Sequence, residues 1–84
     1  MGENMKAKEM FKSLGYKQTI NSDNFIDYIN DSHGDGDFKY VSFRCMLKEY
    51  QVSYYDGYET LTPTVVSIKE HEAITKQMKE LGWI

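Results

Sequence analysis

Val41-Ser42-Phe43-Arg44-Cys45-Met46-Leu47-Lys48-Glu49-Tyr50-Gln51-Val52-Ser53-Tyr54-Tyr55-Asp56-Gly57-Tyr58-Glu59-Thr60-Leu61-Thr62 carries two turn signals between runs of alternating residues. Apolar and polar residues alternate along it, the pattern of strands with one buried face. Asp56-Gly57 between two tyrosines signals a two-residue hairpin, because a type I′ turn needs positive φ at both central positions. That turn pairs Tyr55 with Tyr58, Ser53 with Thr60 and Val52 with Leu61. A second tight turn at Lys48-Glu49 pairs Leu47 with Tyr50, Cys45 with Val52 and Phe43 with Tyr54. The two registers agree: Val41, Phe43, Cys45, Leu47, Tyr50, Val52, Tyr54 and Leu61 share one face. Ser42, Arg44, Gln51, Ser53, Tyr55, Tyr58, Thr60 and Thr62 share the other, with Phe38 and Tyr40 following by parity. A slip of one residue would expose the whole apolar set. The reading is a three-stranded meander over residues 38–62.

Outward from the meander, Ser67-Ile68-Lys69-Glu70 is a capping box that opens a helix ending at Gly82. Ile68, His71, Ile74, Met78 and Leu81 are expected on its buried face. A first helix runs from about residue 4 or 5 to Leu14, with Ala7, Met10, Phe11 and Leu14 on one face. Leu14-Gly15-Tyr16 and Leu81-Gly82-Trp83 repeat one helix stop, a left-handed glycine followed by an aromatic that folds back. Residues 16–20 and 25–30 read as strands joined at Asn21-Ser22-Asp23-Asn24, and residues 31–37 as a loop. The expected fold is therefore α+β in two layers. An antiparallel five-stranded meander carries the N- and C-terminal helices side by side on one face.

The chain of 84 residues makes one domain, residues 1–84. A chain this size buries only about 60–65% of its unfolded surface, so a single layer of helices on one sheet is near the limit. Seven Tyr, four Phe and one Trp argue for a packed core. Cys45 is the single cysteine, so no internal disulfide forms and a reducing, cytoplasmic setting is expected. Residues 1–10 contain no apolar secretory segment, and no window approaches the ~18 apolar residues that span a bilayer. A net charge of −3 disfavours broad binding to nucleic-acid backbones.

Met5-Lys6-Ala7-Lys8-Glu9-Met10-Phe11, Leu14-Gly15-Tyr16, Tyr54-Tyr55-Asp56-Gly57 and Leu61-Thr62-Pro63-Thr64 set the style of the chain, together with the helix to Leu81-Gly82-Trp83. In these pieces, which cover most of the sequence, it resembles small uncharacterised proteins of Gram-positive bacteria and of their phages and prophages. The resemblance implies a bacterial or phage cytoplasm and leaves two candidate starts, Met1 and Met5, the second making residues 1–4 an extension. It implies no activity and carries no site residues.

Asp31, His33, Asp35 and Gly36 fall on the first positions of a calcium-loop count, but the count then fails: Ser42 stands where a bidentate Glu is required. The loop reads as a solvated turn, with no metal and no cofactor. Cys45 is expected to be buried and inert, His71 at the core edge and His33 exposed. Gly34 and Gly36 lack the Lys-Ser/Thr and helix of a phosphate loop. Nothing here points to an enzyme. What remains is the outer sheet face, where Tyr40, Arg44, Tyr55 and Tyr58 are the candidate contact residues, for a partner protein or for self-association. The alternative is stacking of single-stranded nucleic acid on the tyrosines. Against both stands the plain fitness of Tyr and Thr for a half-exposed strand.

Overall fold

Every connection between consecutive strands is shorter than the dozen or so residues a parallel crossover needs, so each strand turns back on its predecessor. The computed structural model describes residues 5–31 and 36–84. In chain order it contains α1 (Ala7–Ser13), β1 (Lys17–Asn21), β2 (Phe25–Asn30), β3 (Phe38–Arg44), β4 (Glu49–Tyr55), β5 (Leu61–Pro63) and α2 (Ile68–Glu80). The strands form one antiparallel sheet in the order β1-β2-β3-β4-β5, and both helices lie on one of its faces. This is the expected two-layer α+β meander. The expectations for an extension at residues 1–4, for His33 and for most of the 31–37 loop fall outside the described residues.

The β3–β4 register differs from the two-residue turn read at Lys48-Glu49. Phe43 pairs with Tyr50 and Val41 with Val52, around the four-residue turn Cys45-Met46-Leu47-Lys48. A type I′ turn needs two left-handed residues, and only Lys48, at φ 52°, takes that conformation here. The register moved by an even number of residues, so Val41, Phe43, Tyr50, Val52 and Tyr54 keep the helix-facing side. Cys45 is not held between Phe43 and Leu47 in a strand: it is half-buried in the turn, its N–H donating to the Asn24 carbonyl at 2.9 Å, and Leu47 is exposed.

The β4–β5 register moved by an odd number, and that reverses a strand. Tyr55 pairs with Leu61 and Tyr54 with Thr62, so Leu61 leaves the core and joins Tyr55 on the outer face. The cause is Asp56. Its carboxylate accepts the N–H groups of Tyr58 and Thr60 at 2.9 and 3.3 Å, and its own N–H donates to the Thr60 carbonyl. These bonds draw the turn out to five residues. The same donors, the Tyr58 N–H first, hold the Asp56 carboxyl below its usual range. Tyr58 then sits at the loop tip, 83% exposed, instead of opposite Tyr55.

Both helices end as expected. Tyr16 N–H bonds Phe11 O and Gly15 N–H bonds Lys12 O; Trp83 N–H bonds Met78 O and Gly82 N–H bonds Lys79 O. Gly15 (φ 93°) and Gly82 (φ 77°) supply the left-handed residue. A Cβ on Gly15 would also press on Asn30 at 3.2 Å. The fold-back buries Tyr16 and lays Trp83 against Phe43, with centroids 6.2 Å apart. Phe11 fills the centre, stacked 4.0 Å from Tyr28 and edge-on to Tyr16 and Phe43. Val52 and Tyr54 are half-buried and Tyr50 is exposed, because the helix layer centres on β2 and β3. Two helices cover roughly 20 Å, and five strands span about 24 Å.

On α2, Ile74 is buried and Met78 and Leu81 are half-buried against the core as expected, but the fully buried face is Glu70, Ala73, Ile74 and Gln77, turned so that Ile68 and His71 leave it. Ile68 is 76% exposed and His71 is exposed too. Polar partners decide this rotation. The Tyr16 hydroxyl donates to Glu70 Oε2 at 2.5 Å and Lys39 Nζ to Glu70 Oε1 at 2.8 Å. The Tyr28 hydroxyl donates to Gln77 Oε1 at 2.6 Å. Burying Ile68 would gain about 2 kcal/mol. Stranding two phenols and an ammonium would cost about 1–3 kcal/mol each. Glu70 is also the N3 residue of the capping box, bonded to the Ser67 N–H at 2.8 Å.

Burial pushes the Glu70 carboxyl up, but Lys39, the Ser67 N–H and Tyr16 together bring it below its usual value. The unfolded chain therefore binds the proton more tightly, so stability should rise with pH up to the ordinary Glu range and be lost as pH falls through the folded value. Urea unfolding at a series of pH values between roughly 2 and 6 checks this. Glu70→Gln should flatten the acid limb. An acid limb of unchanged slope in the variant would remove Glu70 as its source.

Candidate functional site

The outer face takes the odd-numbered side chains of β2 and β4 and the even-numbered side chains of β3. Three zones follow along the strands. At the end where β3 begins, the Phe38 and Tyr55 rings lie 5.0 Å apart at 36°, and Phe38 meets Tyr40 edge-on at 6.3 Å. Ile29 from β2 and Leu61 from β5 complete a groove of about 450 Å3, with Asp27 and Glu59 as its two carboxylates. The Tyr55 hydroxyl donates to the Tyr58 carbonyl, which fixes the ring over the loop.

The middle zone is polar and internally paired. Ser42 donates to Asp27 Oδ1 at 2.6 Å, Gln51 Nε2 to Ser53 Oγ at 2.8 Å, and Arg44 Nη2 to Gln51 Oε1 at 3.3 Å. Ser53 is fully buried although it lies on the outer face, because Tyr40 is its direct cross-strand neighbour. At the far end, Phe25, Arg44, Met46 and Leu47 line an apolar notch of about 500 Å3. Met46 is 80% exposed and Leu47 67% exposed, both in the β3–β4 turn.

Of the four residues singled out in the sequence, Tyr40 and Tyr55 meet in one groove. Tyr58 joins through its backbone carbonyl and leaves its ring in solvent. Arg44 lies at the opposite end of β3 from Phe38, about 20 Å along the strand at ~3.3 Å per residue. Ile29 and Leu61 were missed. The signal for Leu61 is Asp56 with Thr60 four residues on, a side-chain-capped loop rather than a tight turn. The signal for Ile29 is the parity set by Ile26 and Tyr28, both buried on the helix side.

The titratable cluster elsewhere is Tyr16–Glu70–Lys39, between the layers. Burial first and Glu70 second raise the Tyr16 hydroxyl, so it stays a hydrogen-bond donor and ties α2 to the sheet. Among the described residues no three His, Cys, Asp or Glu side chains converge to hold a metal ion, and no helix is long and apolar enough to cross a membrane. No family model matches the chain, and neither a curated protein nor a solved structure matches it.

The reversed β5 gives a direct check. Leu61→Thr should change stability by no more than about 1 kcal/mol, as for a surface residue. An inward leucine would cost about 2–5 kcal/mol on truncation. The urea midpoint decides between the two registers.

Proposed function

We propose that the protein is a small, non-enzymatic binding module whose outer sheet face docks another protein surface, with the Phe38–Tyr40–Tyr55 groove as the anchor site. One observation carries this reading: an aromatic groove whose lining, among the described residues, includes Asp27 and Glu59 and no cationic side chain. Such a groove favours an apolar side chain flanked by Lys or Arg, because potentials across an interface are complementary. It disfavours single-stranded nucleic acid. The stacking rings are present, but two carboxylates stand where that mode places cations, and Arg44 is at the other end of the strand. An accessory role in a bacterial or phage-infected cytoplasm is the setting we propose, supported by the single free thiol and by the resemblance noted above.

Short peptides with one leucine between two arginines, the same peptides with two aspartates, and an oligothymidylate provide the test. The basic-flanked peptide should bind roughly tenfold tighter than the acidic one, a difference of about 1.4 kcal/mol. Binding should perturb the ring signals of Tyr40 and Tyr55 and vanish in Tyr40→Ser/Tyr55→Ser. An oligonucleotide that binds in preference, with affinity falling steeply in salt, would transfer the face to the nucleic-acid reading.

A further inference from the structure

The groove calls for an apolar side chain with cations beside it, and the same face presents that element at its other end. The β3–β4 turn carries Met46 and Leu47, 80% and 67% exposed, between Arg44 and Lys48. Groove and turn are built on the same two strands: Phe38 and Tyr55 close one end of the β3–β4 pair, Arg44 and Glu49 the other. A two-fold axis lying in the plane of contact, across the strands, reverses strand direction and keeps lateral position. It sets the turn of each copy over the groove of the other.

Resting on the groove reading above, we propose that the partner is a second copy of this chain. The two outer faces stack with strands antiparallel, Met46 and Leu47 of each copy entering the groove of the other, and Arg44 facing the Glu59 edge. The contact is isologous, so it closes at two and leaves no open groove to propagate. Aligned face-to-face sheet packing of this kind keeps strand directions within about 30°. Charge supports it as well as shape. The Glu59 carboxylate at the rim of the groove meets the turn that carries Arg44 and Lys48. Arg44 can turn outward: among the described residues it forms no ion pair with the opposed Glu49 and makes one long hydrogen bond, to Gln51 at 3.3 Å. The sheet face measures about 24 by 20 Å, which gives roughly 900 Å2 buried over both copies. That is below a standard interface, so the dimer is a concentration-dependent one.

Sedimentation equilibrium of the full chain over roughly a hundredfold concentration range should show a monomer–dimer equilibrium that weakens with salt. Arg44→Glu and Glu59→Lys should each weaken the dimer by about tenfold or more, because each places like charges at both symmetry-related contacts. Mixing the two variants pairs opposite charges at both contacts. The heterodimer should return to within about threefold of the natural dimer, as should the Arg44→Glu/Glu59→Lys double variant. Leu47→Asp, at an exposed turn position, should abolish dimerisation with the urea midpoint unchanged, which guards against a charge variant that fails to fold. A chain that stays monomeric at every concentration yet binds the basic-flanked peptide overturns self-association and leaves the groove reading intact. A dimer indifferent to all these changes runs through another surface and overturns the inference.

Discussion

Two phenols buried under the helices set most of this structure. Tyr16 and Tyr28 are each at most 3% exposed, and a buried hydroxyl without a partner costs about 1–3 kcal/mol. The sheet supplies Gln18 to Tyr28, but the acceptors come from α2: Glu70 for Tyr16 and Gln77 for Tyr28. Those two acceptors lie seven residues apart, two turns along one helical face, so satisfying both fixes the rotation of α2 and its height over the sheet. Everything else on the helix follows. Ala73 and Ile74 reach the core between them, Glu80 reaches the Ala7 N–H of α1 at 2.7 Å, and Trp83 arrives over Phe43. The burial of both phenols also raises their hydroxyls, so the donors stay protonated until strongly alkaline pH.

This constraint explains which parts of the architecture can be read from residue patterns. Element order, layer count, helix stops and the Ser67–Glu70 box depend on residues close in sequence, and local chemistry there agrees with the final fold. The face of α2 depends on what stands across from it. A hydropathy pattern ranks Ile68 above Glu70, because it has no account of Tyr16 and Lys39 waiting on the sheet. The inner face of the meander was legible for a different reason. The β3–β4 register differs by an even number of residues from the tight-turn reading, and evenness preserves sides even when partners change.

The outer face shows the opposite case. Asp56 with its two captured N–H groups adds an odd number of residues to the β4–β5 turn, and one odd step moves Leu61 from core to surface. Half of the candidate site was legible: Tyr40 and Tyr55 follow from parity alone. The apolar floor that makes them a groove comes from Leu61 and Ile29, one displaced by a side-chain cap and the other on a strand whose Phe25-Ile26 start hides its alternation. Arg44 and Tyr58 share the parity of the tyrosines but lie along the strand or beyond it, a distance that face assignment does not measure.

The edges of the sheet explain why a partner would come to the face. An unpaired edge strand is the usual template for association. Here β5 is three residues long and ends in Pro63, which offers no N–H for a new ladder. β1 carries a register shift between Gln18 and Ile20 that breaks its hydrogen-bonding row, and Lys17 at its start is held toward Asp31 at 3.2 Å. Both edges are thus poor templates, one shortened and one bulged. The helices occupy the inner face, and the middle of the outer face is polar but already paired within itself through Asp27, Ser42, Gln51 and Ser53. The larger apolar features described on the sheet's outer side lie at its two ends, the aromatic groove and the notch of Phe25, Met46 and Leu47, with Ile20 exposed beside Asp27 on the β1 edge, and docking that buries one of them while using the sheet's flatness must approach face-on.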